Sequence, residues 1–258
     1  MKLLLGCDPE AFLKDVQGTL RSSIGKIGGS KVCPMPLPLG TGYCVQEDNV
    51  ALEFNIPPAE GRSQFVDSIT KTLNFLSEEV KMMYGYHITT ESAASFPAEE
   101  LLDPNALVFG CDPDYNAWTG QINPKPKAAD PNLRSCGGHV HVGCGKAVDG
   151  RKVIQMMDLH LGVPSVLMDK GDLRKQLYGA AGAYREKSYG VEYRTLSNFW
   201  IFDGKTIGWV WDNTSRAVDA VEHLAISNDD SVKIVSAINN NDKALAAQLV
   251  DQFGLEVV

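Results

Sequence analysis

The sequence has no apolar run approaching the ~18 residues of a membrane-spanning helix, so no membrane span is expected. It is also short of positive charge. With 24 Lys+Arg against 32 Asp+Glu and a net charge of -8, it lacks the basic face that phosphate-backbone binding normally requires, and nucleic acid is not an expected partner. The opening MKLLLGC has only a superficial likeness to a lipoprotein cleavage box. Too few residues precede Cys7 for an apolar region of ~7–15 residues behind a basic segment, so LLLG reads as a buried strand. The six cysteines, Cys7, Cys33, Cys44, Cys111, Cys136 and Cys144, follow no framework spacing, which favours reduced thiols in the cytoplasm over disulfides. No stretch is rich enough in Gly, Ser or charge to act as an interdomain linker, and residues 1–258 are read as one domain.

What is present begins with short apolar strands separated by Gly and Pro: KLLLGC, the turn-rich IGKIGGSKVCPMPLPLGTG, then NVALEFNIPP. The spacing of Phe65, Ile69, Leu73, Leu76, Val80 and Met83 predicts an amphipathic helix between Arg62 and Tyr84 that packs against a sheet. Residues 112–134 carry four prolines and many turn formers, and read as a long surface loop. Further helices are expected over about 150–162 and 204–224, with two shorter ones over 231–239 and 242–253. One echo, LLLGCDPEAF at the start and LVFGCDPDYN at 107–116, is too slight to establish a repeat.

Alternate residues of a strand share a face. In GCDPEAFL, Asp8 and Glu10 share one if the strand persists through Pro9; in NVALEFNI, Glu53 and Asn55 do, opposite Leu52, Phe54 and Ile56. In GGHVHVG the pair is His139 and His141, opposite Val140 and Val142, and in GVEYRTL it is Glu192 and Arg194, opposite Val191 and Tyr193. Each strand is thus apolar on one side and acidic, imidazole or guanidinium on the other. Any one such face can simply meet water. Four together put Asp8, Glu10, Glu53 and Glu192 on one concave surface, where mutual repulsion invites a divalent cation. Carboxylate oxygens with an imidazole suit Mg2+ or Mn2+, whereas zinc draws on thiolate and imidazole in tetrahedral order. Strand parity turns Cys144 away from the histidines, and Cys136 lies beyond Gly137-Gly138, which disfavours a four-residue zinc site.

Magnesium keeps coordination positions open for water and phosphates. Arginines beside such a site suggest phosphoryl chemistry, and Arg174, Arg185 and Arg194 lie in DLRKQLYGAAGAYREKSYGVEYR, among turns where a backbone could approach an anion. Lys31 in GGSK could also reach an anion, although the loop lacks the full P-loop pattern. Taken singly, each of these cations reads as a solvated surface charge.

The combination GCDPEAF, QEDNVALEFN, GGHVHVG and YREKSYGVEYR resembles the phage carboxylate-amine (COOH-NH2) ligase type 2 family, a distant branch of the glutamine synthetase and glutamate-cysteine ligase superfamily. The resemblance runs from Gly6 to about Trp200, with the linking phrases LGVPS and RTLSNFW; the segment beyond adds nothing to it. It implies an α+β fold, a curved, mainly antiparallel sheet forming a metal-nucleotide funnel with helices on its outer face, like a glutamine synthetase catalytic domain. It also implies ATP and Mg2+ (or Mn2+) as cofactors and an amide bond made through an acyl phosphate.

By motif position, the resemblance makes Glu10, Glu53, His139 and Glu192 metal ligands, with Asp8 beside them and Glu47 or Asp48 adding another. It puts His141 near nucleotide phosphate or in support of the ligands, Arg194 on the transferring phosphate or acyl substrate, and Arg174 and Arg185 on anions. The implied partners are small-molecule or peptide carboxylates and amines, with no nucleic acid and no membrane. The implied location is the cytoplasm, the host's if the protein is phage-encoded. A homo-oligomer built on Trp200, Trp209 and Trp211 is open, core packing being the simpler reading of all three. Two readings compete: a metal-dependent hydrolase in which the histidines and carboxylates activate water, and a non-catalytic nucleotide-binding relative.

Overall fold

The computed structural model describes residues 3–107, 114–125, 129–143, 148–171 and 173–258. The first half comprises β1 (Leu4–Cys7), β2 (Glu10–Lys14), β3 (Leu20–Arg21), β4 (Met35–Pro36), β5 (Cys44–Asp48), β6 (Ala51–Asn55), α1 (Arg62–Tyr84), β7 (His87–Thr89) and β8 (Ala93–Ser95). The second comprises β9 (Tyr115–Asn116), β10 (Leu133–Ser135), β11 (Val140–Gly143), α2 (Gly150–Met157), α3 (Val163–Met168), β12 (Ala183–Lys187), β13 (Gly190–Tyr193), α4 (Gly204–Ala220), α5 (Asn228–Asn239) and α6 (Lys243–Phe253). The architecture is mixed α/β, with antiparallel sheets curled into a half-barrel and backed by helices. No helix among the described residues is long and apolar enough to cross a membrane.

One sheet runs β1-β11-β13-β12-β9, a second runs β3-β2-β6-β5-β4 with β7 also on β2, and β10 and β8 form a small third. The Asp8-Pro9 step carries the chain from the first sheet to the second. Pro9 has no N–H to donate, and its carbonyl accepts from Phe54 N at 3.2 Å. Glu10 N donates to Gly137 O at 2.9 Å, and Leu5 pairs with Ala59, so both sheets are stitched along this crossing. The strand therefore does not persist through Pro9: Asp8 stays with the first sheet and Glu10 opens the second.

The apolar sides face the helices, as alternation requires. Leu5, Cys7, Val140, Val142, Val191 and Tyr193 share one core with Leu52, Phe54, Phe65, Ile69, Met157, Trp200 and Val210. α1 has the expected bounds, ends at Gly85 in the left-handed region, and buries the expected stripe except Met83, which is exposed on its last turn. The 150–162 helix is longer than expected: α2 passes through a π-helical turn, Asp158–Gly162, directly into α3, with Pro164 next to the π-turn where the regular hydrogen-bond ladder is already interrupted.

The expected 112–134 loop contributes two short strands, β9 against β12 and β10 against β8. Residues 112, 113 and 126–128 lie outside the described residues, as do Cys111 and Cys144. Phe65 packs against both Trp200 and Trp211, at ring separations of 6.0 and 5.7 Å, and Trp209 is buried, so all three tryptophans serve the core.

Candidate functional site

The polar face of the first sheet is built by register. Glu192 of β13 stands opposite His141 of β11 on one side and Arg185 of β12 on the other. Gly6 of β1 is opposite His141, and Asp8, two residues on, reaches back over that strand. Asp8 Oδ1 lies 3.1 Å from His141 Nε2 and 3.2 Å from His139 Nδ1. Glu192 is 0% exposed and is surrounded by Arg194, Lys187 (Nζ–Oε2 2.6 Å) and Arg185 (Nη1–Oε1 3.6 Å). Arg194 also approaches His139 Nδ1, at 3.3 Å, and Asp114, at 3.6 Å. Tyr189, in the β12–β13 turn, meets His141 Nδ1 at 2.8 Å and stacks on its ring.

The second sheet carries the other group. Glu10 of β2 faces Glu53 of β6, and Gln46 of β5 faces Glu53 from the far side. β5 and β6 are joined by a tight turn in which Asn49 takes φ 54, a left-handed conformation Asn tolerates. Strand parity then places Asp48 on the face of Gln46, and Glu10, Asp48 and Glu53 bring one oxygen each within 4.8 Å of one another. Gln46 Nε2 donates to Glu53 at 2.9 Å and Gly137 N donates to Glu10 at 2.7 Å. Glu47 points elsewhere, accepting from Ile27 N and Gly28 N, so of the two acids in this approach Asp48 joins the group.

Gly137 and Gly138 make the junction possible. A Cβ on Gly137 would run into His139 Nε2, and one on Gly138 into Ser197 O and Trp200 Nε1. The missing Cβ at Gly137 leaves room for Nε2 of His139 beside the chain, while its Nδ1 faces Asp8 and Glu192.

The two groups differ electrostatically. Burial pushes Asp8 upward, but His141 and His139 outweigh it and hold the carboxyl well below 3.8. Burial and the Asp8 charge likewise oppose Glu192, yet Arg194 and the histidines bring it to about 2. Burial, then Arg194, lowers His139 to about 4 and keeps it neutral, whereas His141 is raised because Asp8 overcomes its burial. In the other group nothing offsets the acids enough. Burial and Asp48 push Glu10 up to about 8, and burial with Asp8, Asp48 and Glu10 raises Glu53 well above its usual range.

The donor set fits a hard divalent cation. Asp8, His141 and Glu192 bring one ligand atom each within 4.8 Å, as do Glu10, Asp48 and Glu53. Asp8 Oδ1, His141 Nε2 and Glu192 Oε2 are buried, with each other and Lys187 Nζ as close polar neighbours. Oxygen-rich sets with one imidazole suit Mg2+ or Mn2+. The histidine in this triplet is His141, where the family resemblance points to His139; His139 lies against the same two carboxylates with Arg194 at its Nδ1.

Arg174 is 3% exposed, and its Nη1 and Nη2 donate to Thr195 O and Arg194 O, so it braces the backbone that carries Arg194. Lys31 is exposed in the loop ahead of β4. Cys136 is buried in a separate apolar cluster with Phe12 and Phe96, and burial raises its thiol, as expected of a bystander. Sequence reading missed Gln46, Asp114, Lys187 and Tyr189. Gln46 and Lys187 were within reach of strand parity, two residues from Asp48 and Arg185; Asp114 and Tyr189 come from turns, which carry no such rule.

Fold and site define a mixed α/β protein whose curled antiparallel sheets bear carboxylates, imidazoles and guanidiniums on one face. Residues 130–254 match the family described as Phage phiEco32-like COOH.NH2 ligase-type 2, so that stretch of the chain is similar to this ligase family. The match includes His139, His141, Glu192 and Arg194 and leaves out Asp8, Glu10 and Glu53; it also runs on past Trp200, where the motifs had suggested nothing. No curated protein matches the chain.

Proposed function

We propose that the protein is an ATP-dependent carboxylate-amine ligase, its catalytic face a funnel like that of glutamine synthetase. The observation that carries this is the meeting of two carboxylate groups, one with its ligand atoms buried, on a surface shared with Arg185, Lys187 and Arg194. Mg2+ or Mn2+ held by Glu10, Asp48 and Glu53, and by Asp8, His141 and Glu192 with His139 adjacent, would neutralise nucleotide phosphates and fix their position.

The chain's own residues supply positioning and charge. Arg194, held by Glu192 and Asp114, faces the same surface and stabilises the equatorial oxygens of the transferring group. Arg185 and Lys187, at the more open edge of β12, draw the polyphosphate in. A substrate carboxylate oxygen attacks the γ-phosphorus, the bond to ADP breaks and an acyl phosphate forms. The amine nitrogen then attacks the acyl carbon, phosphate leaves and a proton is lost from nitrogen, giving the amide. A carboxylate by itself is a poor acyl donor because oxide is a bad leaving group; phosphate is a good one. No protein nucleophile is needed, in keeping with buried, high-pKa Cys7 and Cys136.

The test is a screen of carboxylic acids and amines for ADP release in the presence of Mg2+ or Mn2+, with the product identified by mass. ADP appearing only when acid and amine are both present supports the reading. Cleavage of an amide without nucleotide would replace it with the hydrolase.

A further inference from the structure

Behind the polar face lies a carboxylate that the proposed chemistry does not use. Asp158 is 0% exposed, opens the π-helical turn between α2 and α3, and has no cation within ion-pair distance among the described residues. Three side chains converge on it instead. Tyr193 donates its hydroxyl to Oδ1 at 2.8 Å, Thr195 Oγ1 stands 3.2 Å from the same oxygen, and Trp118 Nε1 donates to Oδ2 at 2.6 Å. Thr195 shares its single proton with Ala180 O, 3.0 Å away.

Tyr193 and Thr195 alternate with Glu192 and Arg194 along the chain, so Asp158 grips from behind the segment that presents those two at the front. The grip falls where it is needed. The β13 ladder ends at Tyr193, and beyond it only isolated bonds hold the chain, such as Arg194 N to Ala183 O. Trp118 belongs to the turn that follows Asp114, the carboxylate beside Arg194. One buried acid therefore links the segments on both sides of the Arg194 guanidinium. π-turns recur at functional sites because the extra residue aims a side chain that a regular helix would not.

We infer that Asp158 is a positioning residue that fixes Glu192 and Arg194 through Tyr193, Thr195 and Trp118. Only the metal arm of its test rests on the ligase reading. Hydrogen exchange of the metal-free protein is compared between wild type, Asp158→Asn and Tyr193→Phe, the last removing one hydroxyl without opening a large cavity. Mn2+ affinity is measured alongside, with Glu192→Gln and Glu53→Gln marking which ion is which.

Protection lost first at residues 191–196 in both variants, with β1 amides unchanged, is expected. So is a loss of about tenfold in affinity for the ion that Glu192→Gln removes, the scale on which partners of ligands act, with the other ion within twofold. Restoration of that affinity in Asp158→Asn/Trp118→Phe, where the amide no longer meets an indole N–H, adds support. Protection lost evenly over the chain, or unchanged at 191–196, overturns the inference even if wild type binds no Mn2+; that last result sinks the ligase reading by itself.

Discussion

Glu10 and Glu53 stand directly opposite each other on adjoining antiparallel strands, a pairing in which like charges oppose sheet formation. Gln46 donates to Glu53 from one side, and Asp48 completes the group from the next strand. The sheet tolerates the arrangement in the metal-free chain by keeping protons on it, and a bound cation would take their place.

The first prediction follows from that proton. Glu10 sits at about 8 in the folded chain against an ordinary 4.5. Its contribution to metal-free stability is complete below about pH 4.5 and is lost as pH rises through about 8. Metal binding at Glu10, Asp48 and Glu53 needs the ionised carboxylates, so affinity at that group should climb as pH rises from about 5 towards about 8, with protons released on binding at pH 7. Titration calorimetry in buffers of differing ionisation enthalpy checks both.

The parity rule carried most of what was legible beforehand. His139 with His141 and Glu192 with Arg194 share faces as alternation demands, and α1 keeps its expected bounds because its apolar spacing leaves no other solution. What escaped the rule depends on the third dimension. Pro9 breaks the strand, which divides Asp8 and Glu10 between two sheets. Tyr189 and Asp114 arrive from turns, and Asp158 acts through a π-turn whose extra residue no hydrophobic period announces. Whether His139 or His141 completes the triplet is a matter of ring placement, which strand parity does not fix.

Gly137 and Gly138 should therefore respond differently to alanine. Gly138→Ala drives a methyl into a backbone carbonyl and a buried indole and should cost about 1–3 kcal/mol of stability, read as a lower midpoint in urea. Gly137→Ala meets the His139 side chain first and would displace that ring from the site. It should lower ADP formation far more than it lowers the melting temperature.

Lys187 holds the Glu192 oxygen that a cation would need. Lys187→Met should raise Mn2+ affinity a few-fold in the absence of nucleotide and weaken binding of an ATP analogue at fixed metal. Paired titrations with and without the analogue read the two effects, and a change of the same sign in both would count against the exchange.

Mg2+ with a non-hydrolysable ATP analogue should raise the melting temperature by several degrees through preferential binding to the native state. Glu53→Gln or Glu192→Gln should abolish that shift, and differential scanning fluorimetry at millimolar ligand suffices to see it.

The most direct test of the two-group site is the stoichiometry of Mn2+ binding, counted by electron paramagnetic resonance on wild type, Glu53→Gln and Glu192→Gln. Two ions per chain in wild type and one in each variant is the expected result. No bound ion in wild type, or full occupancy that survives both substitutions, would contradict it.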